Sequence, residues 1–209
     1  MLLDAPEATA PRMLIVHVEL AGHPLTARLS AGEATVVLTR DELRPQTPFV
    51  GRLFELIDGA AGTVRLLVPL LWLGGEPVPE LVSVVDHVNL ELRGPLTGRW
   101  PAARPRSFPR MTGLYRSPGS AAGGEFAERQ PRRDRGIVEP HVYSEVTVAG
   151  VADVDRPTPF ERRQLHANSF DAACDCLVAA AIIAAHHGLG VVAFGAPRRA
   201  DRRHEKGTP

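Results

Sequence analysis

Lysine and cysteine are nearly missing from this 209-residue chain: Lys206 is the one lysine among its basic residues, and Cys174 and Cys176 are its only thiols. The preference for arginine reads as a compositional bias of the coding sequence and carries no functional weight. Two thiols one residue apart, on what reads as a strand, would form a badly strained disulfide, so both are expected to be reduced. Net charge is missing as well. Lys+Arg 24 against Asp+Glu 24 leaves a formal charge of +0, so no global field draws the chain to nucleic acid or anionic lipid. The longest apolar runs, Leu66 to Leu73 and Leu177 to Ala185, fall far short of the ~20 residues that span a bilayer. The opening MLLDAPEATAPR carries Asp4 and Glu7 where a secretory signal needs a basic and then an apolar stretch, so the expectation is a cytoplasmic protein.

What is present suits one globular unit. Hydrophobic residues make up 44% of the chain, enough at this length to fill a core without disulfides or metals. The expected organisation is an N-terminal tail over 1–12, a single domain over 13–196 with a flexible loop at 116–136, and a basic C-terminal tail over 197–209.

Leu14 to Leu20 alternates apolar and polar positions and Ala34 to Thr39 is rich in β-branched residues, so the chain should open with strands joined by turns. Thr47-Pro48 offers an N-cap and a first-turn proline before apolar Phe49, Val50, Leu53, Leu56 and Ile57, which predicts a helix ended by Gly59. Val64 to Leu73 is almost continuously apolar and interrupted by Pro69, which suits a strand buried on both faces. Leu81 to Val85 and Val142 to Ala149 are further strands. Thr158-Pro159-Phe160-Glu161 is a capping box that must start a helix. Phe170 to Cys176 reads as a strand, Leu177 to His187 as a buried helix stopped by Gly188, and Val191 to Gly195 as a strand, together an α/β unit with a parallel crossover.

The usual chemical constellations are absent: no Walker phosphate loop, no G-x-G-x-x-G, no G-x-S-x-G and no H-E-x-x-H. His186 and His187 read as helix C-terminal histidines favoured by the dipole, since adjacent positions point about 100° apart. Cys174-Asp175-Cys176 should place both sulfurs on one strand face with Asp175 opposite. As a zinc half-site the pair lacks a second ligand pair, and buried small hydrophobes is the reading adopted, with no metal expected. The arginines at 132, 133 and 135 and at 198, 199, 202 and 203 read as solvated loops and tail rather than a phosphate site.

Three consecutive motifs carry a stronger signal. Asp86-His87-Val88-Asn89-Leu90, then Gly94-Pro95-Leu96-x-Gly98, then Phe108-Pro109-x-Met111-Thr112 with Tyr115, resemble in order and spacing the motifs of the trimeric purine nucleoside phosphorylases. Thr158-Pro159-x-Glu161-x-Arg163-x-Leu165, Asp171-Ala172, Val178, Ala181-Ile182, Ala184, His186, Gly188-Leu189 and Val191 extend the likeness, which runs over residues 14 to 196. The resemblance implies an α/β, phosphorylase-like mixed central sheet flanked by helices. It also implies a homotrimer that splits purine nucleosides with inorganic phosphate as co-substrate and needs no other cofactor.

Position by position, the same resemblance implies lost chemistry. The family's N-terminal phosphate loop and C-terminal helix find no counterpart, and its Arg-x-His-x-Tyr-Glu-Gly run falls on Leu29 to Ala34. Before Gly74 and Gly75, an Asn and two alanines become Leu71, Trp72 and Leu73. The Phe-Glu that embraces the purine becomes Asp155-Arg156-Pro157, and the Met-Ser/Thr pair at ribose and phosphate becomes Asp175-Cys176. The residues the resemblance assigns to ligand are Phe108, which the family lends to a neighbouring subunit, with Asp175, Cys176, Gly74 and Gly75; no catalytic residue is assigned. The expectation is a phosphorylase-like protein, catalytically impaired, serving as a binding or regulatory subunit in a homotrimer or beside a complete phosphorylase. A purine nucleoside is its possible ligand, and nucleic acid and membrane are excluded. The alternative is an active nucleoside phosphorylase or related nucleoside-cleaving enzyme with a rebuilt site using Asp175, Asp155 or Cys176.

Overall fold

The computed structural model describes residues 13–30, 34–39, 57, 62–91, 94–96, 109–117, 144–155 and 157–199. Among these, seven strands form one sheet: β1 (Met13–His17), β2 (Ala34–Leu38), β3 (Thr63–Trp72), β4 (Val82–Asn89), β5 (Ser144–Gly150), β6 (Ala172–Cys174) and β7 (Gly190–Arg198). Three helices flank them, α1 (Pro24–Leu29), α2 (Pro159–Ala167) and α3 (Leu177–His186). The expected helix over 48–57 and the loop at 118–136 lie outside the described residues, except that Ile57 is helical and buried.

The strand β3 organises the sheet. One of its edges pairs with β7 along its length, in parallel. Its other edge pairs with β1 over Val64 to Leu67 and then, antiparallel, with β6 at Leu71 and Trp72. Pro69 falls in the gap between those two partners, where its missing N–H breaks no ladder on that side. From β3 the order runs β6, β5, β4, β7 and back to β3, so five strands close into a ring while β1 and β2 extend from it. β4, β5 and β6 are mutually parallel and run against β3 and β7, so antiparallel seams lie at β3/β6 and β4/β7.

This topology corrects one expectation. The β6–α3–β7 segment is no parallel crossover: β6 is antiparallel to β3, β7 is parallel to β3, and the helix therefore links strands of opposite direction. Two boundaries also move. The predicted strand from Leu14 ends at His17, whose Nδ1 accepts the Glu19 N–H and caps a 3-10 turn at Val18–Leu20. The region expected to be strands alone contains α1, started by a His23 cap and Pro24, with Leu25 and Leu29 buried one turn apart. β7 runs through Arg198, two residues into the expected tail, because Arg65 to Leu71 of β3 continue to pair with it.

The main core fills the space between the ring and α3, with Leu66, Val68, Leu70, Val82, Val148, Cys174, Leu177 and Ile183 among its members. A second cluster under α1 joins Leu14, Val16, Leu25, Leu29, Leu67 and Phe194. A third and smaller one lies under α2. Gly195 is where the packing is tightest: a Cβ there would sit 2.1 Å from Leu70 Cδ1 and 3.1 Å from Val82 Cγ2. Gly188 stops α3 as its spacing predicts, at φ +73, a conformation that glycine adopts without penalty.

Candidate functional site

The expected capping box forms in full. Thr158 Oγ1 accepts the Glu161 N–H at 3.2 Å, and the Glu161 carboxylate accepts the Thr158 N–H at 2.7 Å. Hydrogen bonding to the carboxylate by the Thr158 backbone N–H, and next by the Thr158 side chain, holds the Glu161 carboxyl below its ordinary value. The helix α2 that the box starts has no buried residue, and Phe160 at its first turn is 61% exposed. It stands off the outer face of β5 and β6 and roofs a cavity of about 770 Å³, the size of small-molecule sites.

The floor of the cavity is apolar, made by Leu71, Leu90, Val151, Val154, Phe170 and Ala173. Its rim carries Asp153, Glu161, Gln164 and Asn168, so among the described residues the lining holds two carboxylates and two amides but no cationic side chain. Asp171 fixes the floor in place: its Oδ2 accepts the Thr147 N–H at 2.8 Å, and its carbonyl accepts from Leu73.

The residues singled out by resemblance do not converge on one point. Leu71 and Pro157, at two of the positions where the resemblance implies changed residues, line the cavity. Gly74 and Gly75 follow β3; Gly74 lies against Trp72, whose Nε1–H donates to the carbonyl of the exposed Gly75 at 2.9 Å. A Cβ on Gly74 would lie 2.7 Å from the indole ring, so this glycine is needed to admit the indole. Along β6, alternation sends Ala173 toward the cavity while Ala172 and Cys174 face the main core; Asp175 and Cys176 follow the end of the strand, are buried, and do not line the cavity. Phe108 lies outside the described residues.

The Cys-Asp-Cys segment also differs from its expected geometry. The strand ends at Cys174 and Cys176 is already the N-cap of α3, at φ −127 and ψ −23, so the chain turns at Asp175. The sulfurs are 3.3 Å apart with no disulfide between them, and an Asp175 oxygen lies within 4.8 Å of each sulfur rather than across the sheet. Asp155, the other carboxylate at a family site position, pairs with Arg198 at 2.6 Å, and Arg199 pairs with Glu76. Two of the arginines read as a solvated tail are thus tied to loops beside β3 and β5.

Nearby, His87 Nδ1 and the Tyr115 hydroxyl are 2.7 Å apart, rings edge to face. Burial pushes the His87 imidazole down, against the opposing pull of Asp86, and burial raises the Tyr115 phenol. This neutral pair pins the Met111 to Tyr115 turn to β4. Sequence reasoning missed the cavity because its lining comes from β3, β6, α2 and the three loops that follow β4, β5 and α2, and no local pattern joins them.

The closed mixed ring flanked by helices is an α/β architecture, and its likeness is to the nucleoside-phosphorylase fold. Solved structures make the likeness explicit. Isoform 2 of purine nucleoside phosphorylase from Schistosoma mansoni, in complex with cytosine and ribose-1-phosphate, superposes with a TM-score of 0.66 at 14% identity, over 96% of this chain and 82% of that one. The Schistosoma mansoni enzyme in complex with inosine gives 0.64 at 14%, over 96% and 82%. The schistosoma enzyme in complex with hypoxanthine gives 0.64 at 15%, over 92% and 79%. No protein-family model and no curated protein matches the chain. Among the described residues no helix is long and apolar enough to cross a membrane.

Proposed function

We propose that this chain is a phosphorylase-fold binding protein, impaired in catalysis, that takes a purine nucleoside or base in the cavity under α2 and serves as a subunit of a cytoplasmic phosphorylase-type oligomer. The observation that carries this reading is the lining. An apolar floor and amide rim suit a planar heterocycle, whereas Asp153 and Glu161, without a cation among the described lining residues, oppose inorganic phosphate. Phosphorolysis stabilises charge on phosphate and on the departing base, and losing such donors costs orders of magnitude in rate. Val88 is exposed at 41% on the segment Asp86 to Leu90, which supports burial against another subunit. The alternative, an enzyme with a rebuilt site, rests on the carboxylates of Asp175 and Asp155 and the thiol of Cys176.

The test is calorimetric titration with inosine, guanosine and hypoxanthine beside an assay for phosphate-dependent release of base. Binding without release, weakened by Phe160→Ala, is expected. Release of base that needs phosphate and is lost in Asp175→Ala would overturn the proposal in favour of the enzyme. Absence of any purine binding would remove it altogether.

A further inference from the structure

We propose that Cys174, Asp175 and Cys176 bind a thiophilic divalent cation of the Zn²⁺ type at the turn from β6 into α3. This inference is independent of the reading of the cavity, which these side chains do not line. Three donor atoms, two sulfurs and a carboxylate oxygen, lie within 4.8 Å of one another at the end of a strand whose neighbours hold it in register. Two thiolates with one carboxylate are a donor set that Zn²⁺ takes readily. Sulfurs bound about 2.3 Å from one tetrahedral ion lie about 3.8 Å apart, so the observed 3.3 Å needs only a small outward rotation of the side chains.

The turn itself favours this use. Cys176 occupies the N-cap of α3, where a Ser or Thr would bond to the helix N–H groups, yet its side chain makes no capping bond and its sulfur approaches Cys174 instead. The positive end of the ten-residue α3 faces the negative charge that two thiolates and a carboxylate bring. In the metal-free protein Cys174 donates to the Pro69 carbonyl at 3.5 Å, and Cys176 can donate to Cys174. Binding replaces both thiol protons by one M²⁺: two S–H bonds break, two metal–sulfur bonds form, and two protons leave to solvent with no change of oxidation state. Three protein ligands leave the fourth position of a tetrahedral ion to water.

Reduced, metal-stripped full-length protein is titrated with Co²⁺ and then with Zn²⁺. A near-ultraviolet thiolate-to-cobalt band that saturates at about one equivalent, with the visible bands of tetrahedral Co²⁺, and that Zn²⁺ abolishes, is expected. Cys174→Ser and Cys176→Ser should each diminish the band, and Asp175→Asn should keep it while weakening affinity by about tenfold or more. No band from the unsubstituted protein, or an undiminished band in either serine variant, would overturn the proposal. If a serine variant fails to fold, the unsubstituted protein still decides: Zn²⁺ should slow alkylation of both thiols, and an unchanged rate counts against the site. A failure of purine binding on the same preparation leaves this titration intact.

Discussion

Thr158→Ala isolates what holds the roof of the cavity in place. The helix α2 buries none of its residues, and its apolar attachment is limited to half-buried Leu165, beside Phe170, against Leu71, Val154 and Ala173. Its stability therefore depends unusually on its N-terminal cap, whose Oγ1 accepts the Glu161 N–H at 3.2 Å. Replacing a Thr cap by Ala costs about 1 kcal/mol, which changes a local opening equilibrium by roughly fivefold. The assay is native-state amide hydrogen exchange. The amides of Arg162 and Asn168, bonded to Thr158 and Gln164 carbonyls, should exchange about fivefold faster, while those of β3 and β7 should not change. Purine affinity should fall by no more than the same factor. The partner in the box adds a pH signature: the Glu161 carboxyl is held below its ordinary 4.5 by the Thr158 N–H. A depressed folded value means a contribution present above pH 4.5 and lost as pH falls through the lower folded value, so α2 should loosen in acid and Glu161→Gln should remove that dependence. Exchange in α2 that Thr158→Ala leaves unchanged, or acceleration shared by every strand, would refute the idea that the roof opens on its own.

Gly195→Ala places a methyl carbon 2.1 Å from Leu70 Cδ1 in a fully buried layer, so overpacking should cost about 1–3 kcal/mol; a Tm fall of about 2–4 °C per kcal/mol is expected in a thermal melt, and an unchanged Tm would contradict the packing described. His87 is held below its ordinary 6.5 by burial, so the unfolded chain takes up a proton first as pH falls, and stability should decline below pH 6.5. Urea midpoints measured on either side of that pH should show the decline, and His87→Gln should flatten it.

The amino-acid sequence by itself determined the features whose causes are neighbours in the chain. The capping box at Thr158 and Glu161 and the stop at Gly188 are local hydrogen-bond and φ requirements, so they are legible without any partner. The nearly continuous apolar run of β3 likewise announces burial on both faces. The mixed sheet was expected through resemblance, since periodicity tells which face is covered and not by what.

Only the tertiary structure decided which strands meet. The closing of five strands into a ring, the opposed directions of β6 and β7, and the gap that admits Pro69 follow from long-range pairing, whose partners lie far away in sequence. The candidate sites were hidden for the same reason. Leu71, Leu90, Val151 and Phe160 make one cavity only after β3, β4, β5 and α2 come together. Asp175 could not be placed beside the two sulfurs by strand alternation, because alternation holds only while the strand continues. The ladder to β3 and β5 ends at Cys174, and the turn into α3 carries the carboxylate round to the thiols.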